Sequence, residues 1–239
     1  FRTVRLCLSG GDKVSAQLEE EFEACTGIEI DEGYGMTEIG CATLNPIEGE
    51  NRIGSVGQVG GGCEAEVRDD QGNEVAAGQT GRLWIRSPSN MVGYWGNEKA
   101  TRETIVDGWL DTGDMMNVDQ DGYLWFRGRK KQIIVHDGSN ICPQEVEEAL
   151  AEHSSVQNAG VVGIHDLVHG ENVRAYVSLK RDSAAVTESE LIEFARERVG
   201  YKAPEQIVFL DALPFNATGK VDRVELKRMA EAQLHELEN

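Results

Sequence analysis

Residues 127–131 place Arg127, Arg129, Lys130 and Lys131 in five positions, four positive charges in a chain that is acidic everywhere else. Residues 1–126 hold 9 Lys and Arg against 23 Asp and Glu, and residues 132–239 hold 10 against 19. Tyr123-Leu124-Trp125-Phe126 reads as the last strand of a first lobe, and residues 132–135 read as the first strand of a second. The chain is therefore expected to fold as two negative lobes joined at a basic knot. Most charge runs are solvated turns. The competing reading is a hinge whose cations Arg129 and Lys131 meet an anionic ligand, with Arg127 and Lys130 as plain solvated charges.

A length of 239 residues allows one or two domains with a substantial core. The net charge of −19 argues against general nucleic-acid affinity, because phosphate binding needs a basic surface. No run of about 18 apolar residues occurs, so no membrane span is expected. The five cysteines are odd in number, scattered and without close pairs, which suits reduced thiols in a cytoplasmic protein rather than a disulfide frame or a zinc site. The chain begins at Phe1, without Met, and runs straight into a strand, so it is read as a cut piece.

Residues 3–8 alternate, with Val4, Leu6 and Leu8 on one face, and predict a strand. After Ser9-Gly10-Gly11 a helix is expected over 14–25, from Val14, Leu18 and Phe22, with Gly27 as its C-terminal cap. Residues 28–31 predict a second strand, left by the loop Gly33-Tyr34-Gly35-Met36-Thr37-Glu38. Both glycine-rich stretches then lie at strand carboxyl ends, where α/β sheets bind ligands. Residues 50–126 read as a β-rich, barrel-like subdomain with strands at 62–68, 82–86 and 123–126. Beyond the knot, a small α+β lobe is expected. Its elements are a helix opened by Pro143, a strand over 172–179, a capping box Thr187-x-x-Glu190 before a helix, a strand over 206–210 and a last helix from about 222. The domain plan is thus 1–49 (end of an α/β subdomain), 50–127 (β-rich subdomain), 128–131 (hinge) and 132–239 (small α+β domain).

In Gly33–Glu38, glycines admit close backbone approach, Tyr34 offers a flat face, Thr37 can donate to a phosphate oxygen and Glu38 can hold Mg²⁺. An ordinary turn is the alternative. Asp111-Thr112-Gly113-Asp114 could hold a metal, or one carboxylate could accept from a ribose diol, or it is a polar turn. Lys220, on a loop past Gly219, can reach a phosphate as a point charge, although the stretch is not a Walker motif. His165, Asp166, His169 and Glu171 look like a metal cluster but sit among turn residues, the preferred reading. His136, His153 and His235 show no partner in the sequence. Ser9 has Cys7 where a nucleophile elbow needs glycine.

Taken in order, Ser9-Gly10-Gly11, the stretch 33–38, Gly93-Tyr94-Trp95, Gly108-Trp109-Leu110-Asp111-Thr112-Gly113-Asp114, Gly128-Arg129-Lys130-Lys131, Gly138-Ser139-Asn140-Ile141, Pro143-Gln144-Glu145-Val146-Glu147 and Thr218-Gly219-Lys220 resemble the adenylate-forming superfamily. Gly128 to Val135, with Asn140-Ile141-Cys142-Pro143, is most similar to the fatty-acyl and aryl CoA ligases. The resemblance implies that Ser9, Gly10, Gly11, Gly33, Tyr34, Gly35 and Met36 hold adenine, with Tyr34 against the ring. It implies that Thr37 binds the α-phosphate, Glu38 ligates Mg²⁺, Asp114 accepts from the ribose hydroxyls and Arg129 helps to fix the ribose. Lys220 would bridge ATP phosphate and substrate carboxylate. Lys131 takes the hinge position of a mobile small domain. Gly138 and Ser139 would line the channel for the pantetheine of CoA.

The reaction so implied converts a fatty or aryl carboxylic acid and ATP into acyl-AMP and pyrophosphate, and then passes the acyl group to CoA. Alternatives are transfer to a carrier protein's phosphopantetheine, or a non-catalytic adenylate-binding module. The family's Ser/Thr/Gly-rich phosphate loop and most of the acyl pocket do not occur in these residues. The piece is therefore expected to be inactive without an N-terminal part of the same enzyme, and a homo-oligomer is possible.

Overall fold

The computed structural model describes residues 1–11, 14, 16–181, 183–217 and 219–237, with side chains left out at 16, 17 and 234–237. The chain forms two compact units, Phe1–Lys130 and Lys131–Asn239.

The first unit starts with a four-stranded sheet in the order β1 (Cys7–Ser9), β2 (Ile30–Met36), β3 (Gly40–Leu44), β4 (Gln58–Val59). β1 and β2 are parallel, joined by α1 (Ala16–Thr26), and Gly27 ends α1 at φ +70° as the sequence predicts. A second sheet is antiparallel and curls as a half-barrel. It comprises β5 (Glu64–Arg68), β6 (Thr80–Arg86), β7 (Ile105–Val106), β8 (Trp109–Val118) and β9 (Leu124–Arg129), with the short α2 (Glu98–Thr104) before β7. Ile39 of the β2–β3 turn and Ala42 of β3 share one core with Val67, Leu83, Ile85, Leu110, Met116 and Leu124 from the second sheet.

Three expectations change here. The strand expected over 3–8 is only Cys7–Ser9. It is the edge of its sheet, and Val4, Leu8 and the α1 residue Leu18 are exposed. The stretch 33–38 is not a loop, because β2 runs through Met36 and only 37–39 turn. The basic knot is a turn only in its second half, since β9 carries Arg127, Gly128 and Arg129 in the ladder beside β8, whereas Lys130 and Lys131 lie in a 3₁₀ turn. Arg127 Nε donates to Asn117 Oδ1 at 2.7 Å, and Lys130 pairs with Asp70, so neither is a plain solvated charge.

The second unit is a five-stranded sheet. β10 (Ile134–His136) and β11 (Ser139–Ile141) form a hairpin at one edge, followed by β13 (Gly170–Leu179), which pairs with β12 (Val156–Asp166) and, in parallel, with β14 (Gln206–Phe209). Alternation along the strands sends side chains to two faces. Val161, Val173, Ala175 and Val177 pack with Val146 and Leu150 of α3 (Pro143–Ala151) and with Leu191 and Ala195 of α4 (Glu188–Val199). Val162, Ile164 and Tyr176 meet Leu226 and Ala230 of α5 (Arg223–Leu237) on the other face. Pro143 at the start of α3 and the Thr187–Glu190 capping box match the sequence reading.

Candidate active site

The first unit draws together three residues that are far apart in sequence. The Tyr34 hydroxyl donates to Asp114 Oδ2 at 2.7 Å, and Arg129 Nε lies 3.1 Å from Asp114 Oδ1. β8 places Asp114 because odd and even positions of a strand face opposite ways. Leu110, Thr112, Asp114 and Met116 are buried on one face, with Asp114 only 2% exposed. Register pairing of Asp114 with Arg129 on β9 supplies the cation. Asp114 Oδ1 is buried and its approach to Arg129 lacks the alignment of a hydrogen bond, so this oxygen keeps acceptor capacity.

The electrostatics follow from that burial. Desolvation pushes the Asp114 carboxyl above the ordinary carboxylate range, although the Tyr34 hydroxyl and the Arg129 guanidinium pull the other way. The Tyr34 phenol is pushed well above its usual value, by burial first and then by the Asp114 charge.

Asp111 points to the opposite face. It pairs with Arg82 at 2.7 Å and accepts from the Gly113 N–H at 3.0 Å. The two carboxylates of this stretch therefore do not form a common metal site. Thr37 lies exposed at the β2–β3 turn. Beside it, Glu38 Oε1 accepts from the Tyr94 hydroxyl at 3.0 Å, and the Glu38 carbonyl accepts from Met91 N–H at 2.7 Å. Among the described residues no cation pairs with Glu38, so the carboxylate can serve a hard ion. The sequence reading had not assigned a role to Tyr94, whose phenol is raised by burial and by its bond to Glu38.

Ser9 sits opposite Glu32 in the parallel β1–β2 ladder, and a Cβ on Gly10 would lie 3.3 Å from the Gly33 carbonyl. Gly11 follows Gly10, just before α1. Gly33 and Gly35 have a packing reason of their own. A Cβ on Gly33 would lie 2.8 Å from the Thr43 carbonyl, and one on Gly35 would overlap the Gly40 carbonyl. These glycines let β2 and β3 close on one another. Met36 ends β2, with its sulfur 3.8 Å from the Tyr34 hydroxyl.

The remaining candidates lie in the second unit. Lys131 begins it, in a single 3₁₀ turn. Gly138 and Ser139 lie at the β10–β11 hairpin. Lys220 is exposed before α5, its backbone N–H donating to Asn216 Oδ1 at 3.0 Å, whereas Thr218 is outside the described residues. The cluster of His165, Asp166, His169 and Glu171 does not form as such. His165 and Glu171 are cross-strand partners, and Asp166 Oδ1 caps the turn by accepting from Val168 and His169 N–H groups. His136 and His153 do have partners, since His136 stacks on His169 and His153 meets Phe194 edge-on. The side chain of His235 is outside the described residues.

Two family models match the chain, AMP-binding enzyme over residues 1–95 and AMP-binding enzyme C-terminal domain over 145–220. The chain belongs to the adenylate-forming, AMP-binding enzyme family. It is 40% identical to a long-chain-fatty-acid–CoA ligase of Yersinia pestis, over 95% of this chain and 40% of that protein. Identity to a sulfoacetate–CoA ligase of Cupriavidus necator is 38%, over 93% of this chain and 44% of that protein. ATP-bound MatB of Rhodopseudomonas palustris superposes with a TM-score of 0.87 at 31% identity, over 94% of this chain and 45% of that one. The anthranilate CoA ligase AuaEII with anthranoyl-AMP gives 0.86 at 34%, over 96% and 45%. The chain thus spans about 40% of the length of the curated relatives it matches.

Proposed function

We propose that this chain is the nucleotide-holding and C-terminal part of an ATP-dependent acid–CoA ligase. The observation that carries the reading is the Tyr34–Asp114–Arg129 cluster, whose buried Oδ1 retains acceptor capacity beside a guanidinium. A ribose diol supplies hydroxyl donors for that oxygen, and hydrogen bonds to an ionised acceptor are the stronger kind. Family likeness and the CoA-ligase names of the relatives favour CoA as acceptor over a carrier protein.

In this reading Ser9 to Gly11 and Gly33 to Met36 border the adenine, and Tyr34 orients Asp114. Thr37, exposed at its turn, donates to the α-phosphate. Glu38 holds Mg²⁺ by one carboxylate, as that ion is commonly held alongside phosphates and water. When bound, Mg²⁺ offsets the charge that develops as a carboxylate approaches phosphorus. Lys220 supplies a second cation during adenylation, and Lys131 is the pivot that later exchanges Lys220 for the Gly138–Ser139 hairpin at the thioester step. These 239 residues contain no Ser/Thr/Gly-rich phosphate loop, so on their own they are inactive in adenylation.

The test is pyrophosphate release by the full-length enzyme across acids of graded length, with mass analysis of products. Acid-dependent formation of AMP, pyrophosphate and acyl-CoA supports the reading. Formation of ADP, or no acid dependence, contradicts it.

A further inference from the structure

We propose that His136, Asp137 and His169, completed by Glu205, form a binding site for one divalent transition-metal ion of the zinc type. One ligand atom from each of His136, Asp137 and His169 lies within 4.8 Å of the others. His136 Nε2 is also 3.4 Å from Glu205 Oε1. The residues come from three separate segments, so the grouping is a product of the fold.

The supporting bonds are those that metal-binding histidines use. His136 Nδ1 lies 2.7 Å from the Glu171 carbonyl, which can only accept, so Nδ1 carries the proton and donates. His136 Nε2 faces the carboxylates of Asp137 and Glu205, at 3.7 and 3.4 Å. A ligating histidine usually donates its other ring N–H to a carbonyl or carboxylate, which fixes tautomer and orientation.

The site is also held at its base. Asp137 and Gly138 form a two-residue hairpin turn with both φ values positive, at 49° and 74°. The Asp137 N–H donates to the His169 carbonyl at 2.9 Å, and His136 pairs with Gly170 across the strands. Glu205 is anchored through its other oxygen, which accepts from Val173 N–H. Zinc–ligand bonds of about 2.0–2.2 Å place tetrahedral ligand atoms roughly 3.3 Å apart. Asp137 Oδ1 and His169 Nδ1 lie 2.8 Å apart on exposed side chains, which can shift to close the difference. Two imidazoles with two carboxylates suit zinc, and copper or nickel where those ions are available.

Zinc chloride titrated calorimetrically into the 239-residue chain, with its cysteines alkylated to remove thiolate competitors, tests the site. One equivalent is expected to bind, with the ring ¹⁵N signals of residues 136 and 169 shifting together. His136→Asn, which keeps a donor for the Glu171 carbonyl, and His169→Phe are each expected to weaken binding by at least about tenfold. Asp137→Asn tolerates the same positive φ and serves as a third variant if His136→Asn fails to fold. No saturable binding up to millimolar zinc, or binding unchanged by His169→Phe and Asp137→Asn, would overturn the proposal.

Discussion

Removing the Tyr34 hydroxyl isolates the contact around which the candidate site is built. Tyr34 is 9% exposed and Asp114 2%, so Tyr34→Phe leaves Asp114 Oδ2 buried without its 2.7 Å donor. A buried polar group left unsatisfied costs about 1–3 kcal/mol, with the upper end appropriate to a charged acceptor. At about 2–4 °C per kcal/mol for a chain of this size, that is a fall in Tm of roughly 2–12 °C.

The loss carries a pH signature. The folded-state pKa of Asp114 is raised above its ordinary value, so the native state keeps this proton to a higher pH than the unfolded chain does. Stability contributed by this group is full at low pH and is lost as pH rises through the folded value. Tyr34 donates to the ionised form and offsets part of that loss. Tyr34→Phe should therefore cost most at about pH 8, and least near the ordinary carboxylate range of about pH 4. In an Asp114→Asn background the cost of Tyr34→Phe should no longer depend on pH. Trp84, Trp95, Trp109 and Trp125, all the tryptophans of the chain, lie in the first unit, so tryptophan fluorescence during urea unfolding reports on that unit alone. Equal costs for Tyr34→Phe at both pH values, or no cost at the higher, would refute the reasoning.

Other outcomes follow from the same geometry. Gly35→Ala drives a Cβ into the Gly40 carbonyl, so β2 and β3 must part, and a loss of about 1–3 kcal/mol is expected by urea unfolding. In the full-length enzyme, Glu38→Gln should raise the Mg²⁺ concentration needed for half-maximal pyrophosphate exchange, while leaving the Tm of the metal-free protein nearly unchanged. Lys131→Pro freezes φ at the junction between the units, so it should spare adenylation and slow thioester formation, measured as separate half-reactions.

Local chemistry made much of the fold legible. The Thr187–Glu190 capping box, Pro143 at the start of α3 and Gly27 after α1 are signals carried by one or a few neighbouring residues, and each appears where the sequence places it. Glycines misled where they serve strand packing. Gly33 and Gly35 resemble loop residues, yet they sit in β2 because β3 leaves no space for a side chain. β12 lacks the alternation that marks a half-buried strand, since residues 160–164 are buried continuously between helices on both faces. In the candidate site, residue chemistry alone nominates both Asp111 and Asp114, and only the family resemblance points to Asp114. The choice depends on which face of β8 each occupies, and on Tyr34, 80 residues away from Asp114. His136 and His169 escaped notice as a pair because only the contact of β10 with β13 joins them.

The most direct test compares Asp114→Asn with Asp111→Asn in ATP–pyrophosphate exchange by the full-length enzyme. Asp111 is occupied by Arg82 and the Gly113 N–H, whereas Asp114 keeps a buried acceptor oxygen beside Arg129. Loss of a hydrogen bond to a charged group, about 1.5–3 kcal/mol, corresponds to a rise in the KM for ATP of about 10- to 100-fold. That rise is predicted for Asp114→Asn, with the KM of Asp111→Asn close to wild type. Equal effects of the two substitutions, or a larger effect at Asp111, would contradict Asp114 as the nucleotide-holding carboxylate.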